Sequence, residues 1–219
     1  MTKKIFFDPF DYPRGAVPKY YPLNNAVLFF DVVGFSQKTS IEMENIIRGI
    51  DYAINEILWQ EYNWNERHHH NDLIIIPTGD GYGIGFHPKF DGKEILTITA
   101  NIFKKLIENK NFQIRMGLAK GRNIRYWDIN DIANLFGPGI NTANRVISVA
   151  LENQILVHAD FAKDILKKEK IEELIEVPYP LQIKTGEEIR VFNYFKKDVF
   201  GNPIMPKRMQ LFIDILNKM

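Results

Sequence analysis

A single acidic residue, Asp31, lies within the most apolar stretch of the chain, and this limits what the stretch can form. Residues 25–36 read NAVLFFDVVGFS, which predicts a buried strand over 26–33 that turns at Gly34. A carboxylate in an apolar strand is costly unless its charge is compensated, and a metal ion is a common partner. Taken alone, such an acid more often caps the following turn. Other segments of the chain are needed to distinguish a metal ligand from a turn cap.

Two further segments contain residues of the same chemical interest. Residues 73–86 read LIIIPTGDGYGIGF, which predicts two short strands joined at Asp80-Gly81, although this dipeptide alone is more often just a turn. Residues 134–145 read NLFGPGINTANR. Pro138 favours a helix start in this segment, so Asn141 and Arg145, four positions apart, are expected on one helix face.

The hydrophobic pattern predicts a ferredoxin-like arrangement. After the Asp31 strand it indicates a helix over 41–62, the hairpin, a helix over 94–108 and a strand over 112–120. This is the element order of a βαββαβ core, so the predicted fold class is α+β, with extra strands and helices toward the C-terminus. In that topology the first and third strands are neighbours, which brings Asp31 to Asp80. The C-terminal additions are a helix over 138–150, strands over 154–158, 174–177, 181–184 and 189–195, and a short helix from Asp160.

The ordered set of motifs resembles the class III nucleotidyl cyclases, the family of adenylyl and guanylyl cyclases. The matching segments are FDVVGF at 30–35, GDG at 79–81, GPGINTANR at 137–145 and the segment around Lys184, in family order and at family spacing. The resemblance covers about residues 25–195. Each motif alone is weak, whereas the ordered set is specific.

This resemblance implies that the ribose 3′-hydroxyl of a nucleoside triphosphate attacks the α-phosphate while pyrophosphate leaves. Asp31, Asp80 and the backbone carbonyl of Val32 would hold two divalent cations, Mg²⁺ or Mn²⁺, because these hard ions prefer oxygen ligands. Asn141 would hold the ribose. Arg145 would stabilise the charge that builds on the α-phosphate, a role suited to the rigid fork of guanidinium donors.

The resemblance also implies where the triphosphate binds and how the chains assemble. Lys184 lies where the family has a triphosphate-binding lysine. The family often uses a further cation from the loop after the 112–120 strand, and the segment 121–128 offers Arg122 and Arg125, between which the sequence does not choose. The family site combines the metal aspartates of one chain with the Asn/Arg helix of another. This chain has both halves, so we expect a homodimer with two complete sites.

The residues expected to recognise the base depart from the family pattern. Adenylyl cyclases have Lys four residues before the second metal aspartate and Asp three residues before the helix glycine, whereas here these are Ile76 and Asn134. Guanylyl cyclases have Glu and a small polar residue there. With Thr78 and Leu135 beside them, these positions offer an apolar wall and one neutral amide, and Tyr52 on the first helix is a candidate for narrowing the pocket. A neutral amide can match uracil, cytosine or adenine.

A stand-alone cyclase domain with such a pocket resembles the pyrimidine cyclases of the bacterial Pycsar anti-phage system. The resemblance implies UTP or CTP as substrate, with UTP favoured, and a role in antiviral defence. Two alternatives stay open at this point. One is an adenylyl cyclase with an atypical base pocket, and the other is an inactive cyclase-like module that binds nucleotide or a protein partner.

Composition excludes several other classes of function. Among 219 residues, 28 Lys and Arg balance 27 Asp and Glu, so the sequence gives no indication of a nucleic-acid partner. The chain has no Cys, which excludes disulfides and thiolate chemistry. No apolar run reaches the roughly 18 residues of a membrane span, so we expect no such span and a cytoplasmic protein.

The expected domain organisation is a single catalytic domain with two extensions. We predict an N-terminal arm over 1–24, a cyclase domain over 25–196 and a C-terminal helical extension over 197–219 that docks on the body or on a second subunit. Residues 68–70 are three consecutive histidines. We interpret them as a solvated loop, because adjacent loop residues seldom converge on one metal ion.

Overall fold

The computed structural model describes residues 20–58, 72–108, 113–128, 130 and 132–194. The strands in these ranges are β1 Tyr20–Val32, β2 Leu73–Pro77, β3 Gly81–Phe86, β4 Ile114–Trp127, β5 Ala133–Phe136, β6 Gln154–His158, β7 Leu174–Glu176, β8 Leu181–Gln182, β9 Glu188–Ile189 and β10 Val191–Tyr194. The α-helices are α1 Ser40–Glu56, α2 Gly92–Glu108, α3 Pro138–Ser148 and α4 Ala159–Leu166. A short 3₁₀ helix spans Phe35–Gln37.

The first four strands and first two helices form the predicted βαββαβ core. The strands lie in the order β2-β3-β1-β4 and are antiparallel to their neighbours. Beyond β4 the sheet continues through β6, β10 and β7, with β4 and β6 parallel, while β5 pairs with β4 and β8 with β9. The α+β fold class is therefore confirmed, and the first and third strands are neighbours.

Strand β1 contributes to two hydrophobic cores because its side chains alternate between the faces of the sheet. Leu28 and Phe30 belong to the large core that contains the apolar faces of α1, α2 and α4. Val27 belongs to a second core with Ala143 of α3 and residues of β5. Asp31 alternates with Phe30, so it lies on the face of the sheet that carries α3.

Helix α1 is fixed at its start and near its middle. Thr39 and Glu42 form a capping box, in which each residue's side chain accepts a hydrogen bond from the other's backbone N–H, and this starts the helix at Ser40. The hydroxyl of Tyr82 on β3 donates a hydrogen bond to Asp51 of α1. Burial, together with this carboxylate, raises the pKa of Tyr82 to about 12. The hydroxyl therefore stays protonated and holds α1 against β3 at neutral pH.

Two adjoining strands extend further than the sequence predicted. Strand β1 begins at Tyr20, so residues 20–24 belong to the sheet instead of the predicted arm. The prediction of a loop over 121–128 is wrong. Strand β4 continues to Trp127, and this part of it pairs with the start of β1 on one side and with β5 on the other. The two extensions form backbone hydrogen bonds with each other. Each segment is too polar to be predicted as a strand from its own sequence.

Other predicted boundaries shift by smaller amounts. The predicted helix over 41–62 is regular up to Glu56, and 59–62 lie outside the described residues. Strand β8 ends at Gln182, which leaves Lys184 in the turn before β9. The rest of the predicted arm, the three histidines at 68–70 and the predicted extension over 197–219 also lie outside the described residues. Among the helices that the structure describes, none combines the length and apolarity that crossing a bilayer requires.

Replacing Gly117 by Ala tests how closely α3 packs on β4. A β-carbon at Gly117 would overlap the backbone nitrogen of Ile147, so the helix or the strand has to move. We expect Gly117→Ala to lower the free energy of unfolding by about 1–3 kcal/mol, the cost typical of overpacking, in urea denaturation. Gly186→Ala is the control, because its added carbon meets no atom within 4 Å and only its φ of +86° is unfavourable. Equal losses in both variants would contradict the close packing.

Candidate active site

The backbone brings Asp31 and Asp80 to adjacent positions on neighbouring strands. Asp31 is paired with Gly81 across β1 and β3, and the N–H of Val32 donates to the carbonyl of Asp80 at 3.0 Å. A β-carbon at Gly81 would overlap the carbonyl oxygen of Phe30, so this approach requires glycine. The first and third strands therefore bring two acidic residues to adjacent positions at one end of the sheet.

The turn that carries Asp80 differs by one residue from the prediction. The N–H of Thr78 donates to the carbonyl of Gly81 at 3.0 Å, which makes Gly79 and Asp80 the central residues of the turn. Gly79 has a φ of +93°, a conformation that glycine adopts without strain. The prediction that the strands join at Asp80-Gly81 is therefore wrong by one position. Asp80 lies at the tip of the hairpin, and Gly81 begins β3.

Arg115 of β4 neutralises Asp31 from the opposite side. The two residues are directly opposed in the β1–β4 register. Nε of Arg115 donates to Oδ1 of Asp31 at 2.7 Å and its second guanidinium nitrogen donates to Oδ2 at 3.0 Å, a bidentate ion pair. This hydrogen bonding raises the pKa of Arg115 above its ordinary value, and the negative charge of Asp80 contributes in the same direction. One guanidinium thus responds to both carboxylates.

The donor set at this point suits a hard divalent cation that also binds substrate. Asp31 and Asp80 provide carboxylate oxygens, and the described residues contain no cluster of three or more His, Asp, Glu or Cys. Mg²⁺ is usually held by one or two carboxylates together with substrate phosphates and waters, so two aspartates fit this type of site. The backbone carbonyl of Val32, next to Asp31, is a further oxygen of the same kind. Asp31, Asp80 and Val32 are therefore the residues that would hold Mg²⁺ or Mn²⁺.

Helix α3 presents Asn141 and Arg145 on its exposed side. The two residues are four positions apart and thus neighbours on the helix surface, while Ala143 and Val146 face the interior. Arg145 is paired with Glu187, with 3.1 Å between the guanidinium nitrogen and Oε2, and both side chains are more than half exposed. The amide and the guanidinium are consequently accessible to a ligand or to a second chain.

Lys184 lies in the turn between β8 and β9, close in sequence to the residue that pairs with Arg145. The N–H of Ile183 donates to the carbonyl of Glu187, and Gly186 adopts a φ of +86°. Lys184 is exposed in this turn. Since Glu187 contacts Arg145, the structure brings the turn of Lys184 to the side of α3. The predicted triphosphate lysine and the predicted transition-state arginine therefore share one region of the chain.

The structure separates the two arginines that the sequence could not tell apart. Arg122 is exposed and alternates with Asn123, so it lies on the opposite face of β4 from Arg115. Arg125 shares the face of Arg115 but is only 2% exposed, and its guanidinium lies 4.6 Å from the ring centre of Trp127. Ten strand residues, about 33 Å, separate it from Arg115. Within one chain, neither arginine comes close to Asp31.

The residues predicted to contact the base do not all lie together. Ile76 of β2 packs against the second core, which also contains Leu135. Leu135 is only 4% exposed and fills the space above Gly85, so it is a packing residue with little surface for a ligand. Thr78 is exposed beside the Asp80 turn, and Asn134 is partly buried on the opposite side of β5 from Leu135.

The amide orientation of Asn134 is fixed by its neighbour. Its Oδ1 accepts a hydrogen bond from the N–H of Leu135 at 2.8 Å, and only the oxygen of an amide can accept. The Nδ2 group is therefore directed away from that N–H. Among the described residues, none accepts a hydrogen bond from this Nδ2, so Asn134 offers a donor.

Tyr52 does not join these residues within the chain. It is 64% exposed on α1, which packs against the large core on the other face of the sheet. The sheet thus lies between Tyr52 and Ile76 of the same chain. The prediction that Tyr52 narrows the pocket is not supported by its position within one subunit.

Sequence reasoning missed Arg115 and Glu187. Arg115 had a detectable signal, since it is the one charged residue in the apolar first part of β4, residues 114–119, as Asp31 is in β1. A single charge of opposite sign in each of two apolar segments predicts that the two meet. Glu187 had no such signal, because it lies among polar residues in a turn whose position depends on the tertiary fold.

Comparison with known proteins identifies the fold. No protein-family model matches the sequence, and no curated protein matches it. Solved structures do match. The guanylate cyclase domain of RhGC from Catenaria anguillulae, in complex with GTP, is 16% identical over 80% of this chain and 98% of its own, with a TM-score of 0.62. The adenylyl cyclase CyaB from P. aeruginosa is 13% identical over 82% of this chain and 97% of its own, with a TM-score of 0.62.

A further structural relative is an adenylate/guanylate cyclase/hydrolase from Silicibacter pomeroyi. It is 18% identical over 81% of this chain and 99% of its own, with a TM-score of 0.57. At these identities the similarity establishes the fold. The chain has the fold of adenylyl and guanylyl cyclase catalytic domains. The positions of Asp31, Asp80 and the exposed side of α3 are observed in this chain itself.

Replacing Arg115 by Met tests the charge balance of the aspartate pair. The substitution leaves the half-buried Asp31 without its cation, so we expect the free energy of unfolding to fall by about 1–3 kcal/mol in the absence of divalent cations. Mn²⁺ should then raise the melting temperature more in the variant than in the wild type, because the carboxylates have lost a competing cation.

The matched control is Arg48→Met, which removes an exposed arginine from an i,i+4 pair with Glu44. We expect this variant to lose less than about 0.5 kcal/mol and to show the wild-type response to Mn²⁺. An equal Mn²⁺ response in all three proteins would contradict a cation site at Asp31.

Proposed function

We propose that the chain is a metal-dependent nucleotide cyclase that converts a pyrimidine nucleoside triphosphate, UTP in preference to CTP, to the 3′,5′-cyclic nucleotide and pyrophosphate. The observation that carries the proposal is the juxtaposition of Asp31 and Asp80 at one end of the sheet, beside Arg115, in a cyclase fold whose α3 presents Asn141 and Arg145 to solvent. Two carboxylates, an amide and a guanidinium are the groups that phosphoryl transfer from a triphosphate requires.

Each residue has a role that follows from its chemistry. When bound at Asp31, Asp80 and the carbonyl of Val32, divalent cations lower the pKa of the attacking hydroxyl and neutralise the triphosphate. Asn141 hydrogen-bonds the ribose and orients its 3′-hydroxyl. Arg145 donates to the oxygens of the α-phosphate, where negative charge builds in the transition state.

Lys184 and Arg115 are the cations that we assign to the β- and γ-phosphates. Lys184 is exposed in a turn beside α3, and Arg115 lies directly against Asp31. If Asp31 binds a metal ion, Arg115 is released from its carboxylate. The guanidinium is then close to the phosphates that would bind at the same metal site. The positions of Arg122 and Arg125 argue against a triphosphate role for either within the same chain.

We place the complete site between two chains. Asn141 and Arg145 are exposed and their helix is anchored from its inner side, so a second subunit can cover the outer side. Asp31 and Asp80 of one chain would then face Asn141 and Arg145 of the other, and a homodimer would contain two sites. A monomer would lack catalytic activity.

The preference for uracil is supported by the amide of Asn134. Its oxygen accepts from the N–H of Leu135, which leaves the nitrogen as the group for a ligand, and a donor matches the O4 carbonyl of uracil but opposes the N4 amino group of cytosine and the N6 amino group of adenine. Ile76 of β2 packs against the core of Leu135, on the other side of β5 from Asn134, so the preference rests on the amide alone. The role in antiviral defence, in the cytoplasm, is supported by the resemblance to the Pycsar cyclases.

The direct test incubates the purified protein with Mn²⁺ and each of ATP, GTP, CTP and UTP, with products resolved by mass. We expect cyclic UMP as the main product and a smaller amount of cyclic CMP. Cyclic AMP as the main product would instead identify an adenylyl cyclase with an atypical pocket. Nucleotide binding without any product would identify an inactive cyclase-like module.

The same assay locates the catalytic groups on separate chains. Asp80→Asn and Arg145→Ala should each lower the rate at least about a hundredfold, because one removes a metal ligand and the other a transition-state donor. Mixing the two variants should restore about a quarter of wild-type activity, since half of the dimers are mixed and each has one intact site. No recovery on mixing, with dimers intact by size-exclusion chromatography, would contradict a shared site.

The substitution Asn134→Asp tests whether the amide of Asn134 recognises the base. The carboxylate keeps an oxygen for the N–H of Leu135 but replaces the outward donor by an acceptor, which matches the amino group of cytosine. We expect the ratio of kcat/KM for UTP over CTP to fall by about 10-fold to 100-fold. Asn130→Asp, an exposed residue with the same charge change, is the control and should leave the ratio unchanged. An unchanged ratio in both variants would exclude Asn134 from base recognition.

A further inference from the structure

Two asparagines form a buried pair beneath α3. Asn25 of β1 is fully buried and Asn123 of β4 is only 1% exposed. Nδ2 of Asn123 donates to Oδ1 of Asn25 at 2.9 Å, and Nδ2 of Asn25 donates to the carbonyl of Ala26 at 3.2 Å. Burying two amides in a sheet is unfavourable unless each polar atom has a partner, so the pair needs a structural reason.

Helix α3 lacks a capping side chain of its own. The residue at its N-cap position is Gly137, and no side chain of the cap residue accepts a helix N–H. Pro138, at the first helical position, has no N–H. Ile140 is the third helical residue, and an N-cap side chain normally accepts a hydrogen bond from the N–H at this position. Within the described residues this N–H donates to Oδ1 of Asn123 at 2.8 Å.

Asn123 therefore caps α3 from a neighbouring strand. Its amide orientation is determined on both sides, because Nδ2 donates to Asn25 and Oδ1 accepts from Ile140. Gly139 leaves space for the amide, since a β-carbon at that position would lie within 3.0 Å of all three terminal atoms of Asn123. The contact between Gly139 and Gly121 closes the other side, where an added carbon would lie 2.8 Å from Gly139 Cα.

We propose that Asn123, held by Asn25, is the positioning residue that sets the place of α3 for catalysis. The inference rests on the proposed cyclase function, because Asn141 and Arg145 follow the capped residue Ile140 by one and five positions on the same helix. Asn123 touches neither substrate nor metal. It fixes the first turn of α3 to β4, the strand that also carries Arg115, so the amide and guanidinium of α3 keep a constant relation to the sheet.

The consequence for catalysis is a change in rate more than in binding. A small displacement of a catalytic group lowers kcat strongly, whereas ground-state contacts tolerate it. Asn123→Leu, of similar size but without hydrogen-bonding atoms, should lower kcat for UTP about tenfold or more while KM changes less than about threefold. Amide exchange at Ile140, followed by NMR, should become about tenfold faster as its hydrogen bond is lost.

A second buried amide pair in the same sheet provides the control. Nε2 of Gln154 donates to Oδ1 of Asn193 at 3.0 Å, and both residues are buried. Asn193→Leu removes a comparable hydrogen bond without touching the first turn of α3. We expect it to destabilise the protein to a similar extent in urea denaturation, with kcat and the exchange rate at Ile140 near those of the wild type.

Asn25→Leu is the second variant, in case Asn123→Leu does not fold. It leaves the capping oxygen in place but removes the acceptor that orients it, so we expect the same changes at smaller size. Equal losses of kcat in the Asn123 and Asn193 variants would mean that Asn25 and Asn123 contribute only to stability, and would overturn the proposal. An unchanged amide exchange rate at Ile140 would overturn it as well. A wild-type protein without cyclase activity would overturn the proposed function, whereas the exchange at Ile140 decides the capping contact independently.

Discussion

The ion pair of Asp31 and Arg115 is the interaction on which the charge balance of this site depends. It joins β1 to β4 through the longest register in the sheet, thirteen residue pairs from Tyr20 to Val32. The two side chains lie on the face that carries α3 and are only partly exposed. A carboxylate at this depth requires a positive partner, and the chain supplies one that is itself suited to phosphate. The same contact thus joins two strands of the sheet and orients the acidic side chain.

Close backbone packing determines where the other chemical groups lie. Gly81 lets the Asp80 hairpin approach β1, while Gly117 and Gly121 let α3 lie directly on β4. At each of these positions a β-carbon would meet backbone atoms, which cannot move aside as a flexible side chain can. The geometry of the site is therefore built into the main chain, and Asn123 adds a directional hydrogen bond to it.

The sequence predicted the core of the fold because the hydrophobic period in each element agrees with its final environment. Asp31 and Asp80 could be placed side by side from the strand order alone. The long pairing of residues 20–24 with the second half of β4 was missed, because Arg122, Asn123 and Arg125 look like loop residues until their partners are known. The burial of Leu135 and the separation of Tyr52 from the base-contact positions also depend on tertiary packing, which no local pattern encodes.

Strand β3 has glycine at positions 81, 83 and 85, so it presents no side chains of its own to the α3 face. The space above it is filled from neighbouring elements, by Phe29 over Gly83 and by Leu135 over Gly85. The hairpin tip that carries Asp80 and the part of the sheet beneath Leu135 are consequently connected by the backbone of β3, with no side chain of β3 between them. Such an arrangement lets residues at one end change in evolution without disturbing the other. Residues around Leu135 could change in a lineage while the surroundings of Asp31 and Asp80 stay intact.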